Sequence, residues 1–163
     1  MAAAEKAAPH CDRIWLRIKG RADRQMLAYA VQLREKLPGK TLILSERADI
    51  AICAGFEGVH LNAETLPPHA VKESFPGLIT GYSAHSPDEC AITGADYVTL
   101  SPIFSVRKGY NVSPLGVIPA PASGVYALGG VNADTVSLLK GMGYEGVAGV
   151  TMLPEIERIR RII

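Results

Sequence analysis

Cysteine is scarce in this chain: Cys11, Cys53 and Cys90 are the only three in 163 residues. An odd number at wide spacings, with no CxxC pair, argues against a disulfide framework and against a thiolate zinc site. Reduced thiols in a cytoplasmic protein are the expectation. Aromatics are equally thin, with six Tyr, three Phe and the single Trp15. That is too few for the stacking platforms that hold single-stranded nucleic acid. Neither sign of charge dominates, since 17 Lys and Arg face 16 Asp and Glu. A net charge of +1 gives no reason to expect a nucleic-acid or acidic-membrane partner. No run approaches the ~20 apolar residues of a membrane helix. The opening Met1-Ala2-Ala3-Ala4-Glu5-Lys6 also interrupts the apolar stretch that a secretory signal needs.

What is present is globular in character, 48% hydrophobic and 20% charged, and the length suits one domain over residues 1–163. Short β-branched or aliphatic segments recur at 14–18, 41–44, 58–61, 78–82, 97–100, 124–128 and 146–150. Stretches of helical period lie between most of them. Residues 23–37 set Leu27, Ala30, Val31, Arg34 and Leu37 on one side and Arg24, Gln32, Glu35 and Lys36 on the other. Ser86-Pro87-Asp88-Glu89 reads as a capping box, and Asn132 is placed to start a helix that Gly141 ends. Short loops between alternating elements force parallel strands, because each return crossing is made by a helix.

Seven strand–helix units are visible, whereas a closed eight-unit barrel usually takes about 250 residues. The expected architecture is a trimmed TIM-type (βα)8 barrel of about seven units. Its N-terminal strand is missing, and the Pro-rich stretch 115–123 is too short for a helix. An open doubly wound sheet is the alternative. A missing strand leaves edges to be covered, by a rearranged N-terminus or by a second copy in a homodimer.

Ligands in parallel α/β folds sit at the carboxyl ends of strands. Trp15, Arg17 and Lys19 share one face of the first segment. The two cations call for a phosphate or pyrophosphate between them, unless both lie past the strand in solvent. Glu46 either holds Mg2+ together with substrate phosphate, or joins Asp49 and a capping Ser45 in favouring the next helix start. His60 is a core histidine or a ligand contact. Ser83 and His85 share a face, but neighbours on one strand point in parallel, so they read as ligand contacts and not as a nucleophile pair. Lys108, beside Arg107 and Gly109, is a charge-stabilising lid lysine or a solvated one. Gly129-Gly130 entering a helix start, with Gly149-Val150-Thr151 as companion loop, offers backbone N–H groups to a phosphate.

Eight motifs in order carry a family likeness: Leu-Arg-Ile-Lys-Gly (16–20), Ser-Glu-Arg-Ala-Asp-Ile-Ala (45–51), Gly-Val-His-Leu (58–61), Gly-Tyr-Ser-Ala-His-Ser (81–86), Gly-Ala-Asp-Tyr-Val (94–98), Ser-Pro-Ile-Phe (101–104), Leu-Gly-Gly-Val (128–131) and Gly-Val-Ala-Gly (146–149). Together they resemble thiamine phosphate synthase, whose barrel the thiazole tautomerase shares. The resemblance implies a transferase of thiamine biosynthesis acting on phosphorylated small molecules. A pyrimidine-methyl pyrophosphate, bound with Mg2+, loses pyrophosphate, and the nitrogen of thiazole phosphate captures the resulting cation.

It further implies that Arg17, Lys19 and Lys108 stabilise the departing pyrophosphate. Ser83 would touch the pyrophosphate or the pyrimidine, and His60 would line the pyrimidine pocket. Gly130, Val150 and Thr151 would hold the thiazole phosphate, with Glu46 at a Mg2+ position. Some positions depart from the family pattern. Ser45-Glu46 replaces Asn-Asp, and Thr65 stands where a second metal-binding Asp belongs. Trp15 and Ala63 occupy pyrimidine-contacting Gln positions, and the tautomerase His falls at Pro102. Two other readings therefore stand beside the first. One is a tautomerase or isomerase acting on a phosphorylated heterocycle, and the other is a non-catalytic phosphate-ligand-binding protein.

Overall fold

In the computed structural model, which describes residues 1–92, 94–106 and 112–163, both faces of the strands are apolar. Within β2 (Thr41–Ser45), Leu42 and Leu44 are buried against Ala30, Leu33, Ala51 and Ala54. Ile43 and Ser45 must then take the opposite face. A strand with two buried faces is what a parallel sheet flanked by helices requires. The same logic builds β1 (Arg13–Leu16), β3 (Gly58–Leu61), β4 (Ile79–Ala84), β5 (Tyr97–Leu100), β6 (Val125–Leu128) and β7 (Gly146–Ala148). Sheet order follows chain order from β1 to β7. The pairs β1–β2, β2–β3, β5–β6 and β6–β7 are parallel.

Helix α1 (Ala2–Ala7) precedes β1, and α2 (Asp23–Lys36), α3 (Ala48–Cys53), α4 (Pro68–Ser74) and α5 (Pro87–Ile92) make the first four crossings. Residues 112–124, before β6, form no helix, as their prolines dictate. The chain closes with α6 (Ile156–Ile162). None of the described helices is long and apolar enough to cross a membrane.

By its contacts the chain falls into two compact units, Met1–Gly81 and Tyr82–Ile163. In the first, the buried side of α2 includes Leu33, fully enclosed and outside the predicted stripe. Burial of such a leucine is worth about 1.5–3 kcal/mol. Arg34, predicted on that stripe, instead closes the turn into β2. Its Nη1 donates to the carbonyls of Leu37, Pro38 and Lys40 at 3.2, 3.1 and 3.0 Å. Its Nη2 meets Glu57 Oε2 at 2.6 Å, and that oxygen also accepts the Leu42 N–H at 2.8 Å. This latch sits at the amino ends of β2 and β3, the end of such folds that serves stability.

In the second unit, Val98, Leu100, Val125 and Ala127 pack with Val136, Leu139 and Ile159. Tyr97 and Tyr126 meet edge to face at 5.7 Å. The capping box forms, displaced by one residue. Ser86 Oγ accepts the Glu89 N–H at 3.3 Å, and Glu89 Oε2 accepts the His85 N–H at 2.8 Å. The helix predicted from Asn132 is only a 3-10 turn, Val136–Leu139. Asn132 Oδ1 accepts the N–H groups of both Asp134 and Thr135, and Gly141 ends the segment with φ 77°. That leaves too few residues to repay helix nucleation.

Candidate functional site

At the carboxyl ends of β1 to β3 three side chains interlock. The register sets Trp15 beside Ile43 and Ser45 beside His60. The indole Nε1–H of Trp15 donates to Ser45 Oγ at 2.6 Å, and the Trp15 ring lies 3.9 Å from the His60 ring at 32°. Ser45 therefore serves Trp15 and does not cap α3, which has no side-chain cap. β1 ends at Leu16, so Arg17 and Lys19 lie beyond it, and both are exposed.

His60 is 2% exposed. Burial, helped by the nearby positive charge of Arg17, pushes its pKa down to about 3 from 6.5. A His60 cation facing the indole would gain about 2 kcal/mol. At about 1.4 kcal/mol per unit, the downward shift is larger, so the ring stays neutral. The unfolded chain binds a proton near pH 6.5 and the folded chain does not. Stability is therefore full above pH 6.5 and falls by about 1.4 kcal/mol per unit below it, until about pH 3. Denaturant titrations of wild type and His60→Leu between neutral and acid pH should show this slope in the wild type alone.

Glu46, next along β2, holds a left-handed backbone with φ 69°, which costs a non-glycine residue about 1–2 kcal/mol. Its N–H donates to His60 O at 2.9 Å, and its Oε1 accepts from Asn62 Nδ2 at 3.0 Å. Arg47 pins the turn by pairing with Asp23 and with Asp49, at 2.6 Å to the latter, and so holds the Asp49 carboxyl below its usual range. Thr65 is fully engaged in the following turn, with its hydroxyl donating to Asn62 O at 2.8 Å and accepting the Asn62 N–H at 3.0 Å. Mg2+ binds through carboxylates, water and substrate phosphate. Glu46 alone supplies one carboxylate, already hydrogen-bonded, and among the described residues no group of three potential ligands converges. The described residues do not fit a protein-built Mg2+ site.

In the second unit, Ser83 is half-buried on β4 and His85 lies exposed just past its end. His85 Nδ1 is 2.9 Å from Ser101 O. A carbonyl only accepts, so Nδ1 is the donor in this contact. Gly129 and Gly130 have φ of 92° and 70°. A Cβ on Gly130 would meet Phe104 Cβ and Ser105 O, both at 2.7 Å. Glycine here is demanded by the close approach of the segment after β5, which bonds back through Ile103 N–H to Leu128 O and Phe104 N–H to Gly129 O.

The phosphate cradle expected at this turn is narrower than the sequence suggested. The Ala133 N–H donates to Glu155 Oε2 at 3.1 Å, and Asn132 takes the next two N–H groups. The backbone N–H groups of Gly130, Val150 and Thr151 make no hydrogen bond among the described residues. They follow directly from Leu128 and Ala148, which are paired across β6 and β7. Lys108 lies outside the described residues. Sequence reasoning missed Asn62 and Glu155. Asn62 three residues before Thr65 is a readable side-chain turn, whereas Glu155 reaches across 22 positions and leaves no local signal.

Residues 1–153 match the family of thiamine monophosphate synthase. The chain belongs to the thiamine monophosphate synthase family. It is 36% identical over 158 residues to thiamine-phosphate synthase of Methanoculleus marisnigri, covering 89% of this chain and 75% of that one. Thiamine phosphate pyrophosphorylase from Pyrococcus furiosus superposes with a TM-score of 0.81 at 25% identity, over 99% of this chain and 87% of that one. N-(5'-phosphoribosyl)anthranilate isomerase from Pyrococcus furiosus matches at TM-score 0.66 and 18% identity, over 100% and 94% of the two chains, a likeness of fold alone. The TIM-barrel type of fold expected for a thiamine monophosphate synthase family member is thus the one observed.

Proposed function

We propose that this chain is a thiamine-phosphate synthase of the cytoplasm. The observation that carries the reading is the family match along residues 1–153. The carbon–oxygen bond of a pyrimidine-methyl pyrophosphate breaks, its electron pair leaves with pyrophosphate, and the thiazole nitrogen supplies the pair for the new carbon–nitrogen bond. Arg17, Lys19 and Lys108 stabilise the charge that develops on the leaving group. Ser83 and His85 contact the bound substrate. The N–H groups of Gly130, Val150 and Thr151 take the phosphate of the thiazole, a role supported by their lack of other partners among the described residues.

Pyrophosphate release that requires both substrates is the expected result when purified protein is assayed in the presence of Mg2+ with each alone and with the pair. Release that is absent, or indifferent to thiazole phosphate, would overturn the reading. One observation, that Glu46 is bonded to Asn62 and the Thr65 hydroxyl is spent on its own turn, favours a second reading as a binding protein. That reading expects thiazole phosphate to raise the melting temperature with no pyrophosphate released.

A further inference from the structure

We infer that Trp15 is the stacking surface for the heteroaromatic ring of the pyrophosphate-bearing substrate, so that this chain grips the ring by its π face. The identity of that ring rests on the synthase reading above. On the neighbouring strands Leu42, Leu44 and Val59 are enclosed. Trp15 is instead half-buried, while the His60 it leans on is sealed at 2% exposure. Indole surface thus remains open, and it lies at the strand ends where ligands collect in this fold.

The ring is also held before any ligand arrives. Its only polar atom is tied to Ser45 Oγ at 2.6 Å, and the His60 ring lies against one face of it at 3.9 Å and 32°. A platform whose orientation is set in advance loses little entropy when a planar ligand lands on it. Two residues on, just past the end of β1, stands Arg17, exposed and close enough for its charge to act on His60. An aromatic surface with a guanidinium beside it suits a planar ring that carries a phosphate ester. Neither group alone would select for that combination.

Trp15 is the only tryptophan in the chain, so its emission reports on this one position. Titration with the pyrimidine-methyl pyrophosphate is expected to quench it, while inorganic pyrophosphate, shown by calorimetry to be bound, leaves it unchanged. In calorimetry, Trp15→Phe should hold pyrimidine pyrophosphate within about threefold of wild type. Trp15→Leu should weaken it about tenfold or more, the usual cost of losing one aromatic stack on a base. Equal quenching by inorganic pyrophosphate would assign the signal to the anion and overturn the inference, as would equal affinities of the Phe and Leu variants. Absence of binding by the wild type would overturn it too. Thiamine phosphate production without quenching would remove the stacking role and leave the synthase reading standing. Quenching without product would do the reverse.

Discussion

Arg17→Ala is expected to lower kcat/KM for thiamine phosphate formation by about 100-fold or more, the usual cost of deleting one charge-stabilising donor at a reacting centre. The side chain is exposed and lies past the end of β1, so the melting temperature near neutral pH should not move. A loss of turnover with folding intact therefore assigns the effect to chemistry. The same variant has an electrostatic readout. Arg17 helps hold His60 neutral, so its removal should raise the His60 pKa and move the acid loss of stability to a slightly lower proton cost. A variant with unchanged turnover would remove Arg17 from the leaving-group site.

The largest expected effect on stability is at Gly130. Gly130→Ala must place a Cβ in a backbone with φ 70° and within 2.7 Å of Phe104 Cβ and Ser105 O. Left-handed strain costs about 1–2 kcal/mol, and forced repacking adds about 1–3 kcal/mol. Together these should lower the melting temperature by on the order of 10 °C. Gly116→Ala supplies the control, since Gly116 has φ 82° but a Cβ there would meet none of the described residues within 4 Å. It should carry the strain alone and lose only a fraction as much. Equal losses at the two positions would mean that the approach of the Pro102–Ser105 segment is not what demands glycine at Gly130.

Local rules made much of this architecture readable. The aliphatic runs and the Ser86–Glu89 capping box depend on residues within a few positions of one another, and they appear nearly where expected. Leu27, Ala30, Val31 and Leu37 pack where the stripe of α2 put them, but Leu33 was left out of it and Arg34 was counted in it although its guanidinium reaches Glu57. Strand-end placement of Arg17, His60 and Gly130 also followed from the pattern. What those residues do to one another did not. The Trp15–Ser45 bond spans 30 positions and the Ala133–Glu155 bond spans 22, and no composition or period encodes a partner so distant. The Asn132 segment shows the converse. Its capping chemistry was legible, but the cost of nucleating so short a helix between Asn132 and Gly141 decided the outcome.

The most direct test of the account is to incubate the purified protein with pyrimidine-methyl pyrophosphate, thiazole phosphate and Mg2+, and to follow thiamine phosphate by mass spectrometry beside the Arg17→Ala variant. Product that accumulates with the wild type, and at about a hundredth of the rate or less with the variant, is the result expected. No thiamine phosphate from a folded wild-type protein that binds both substrates would contradict the synthase reading.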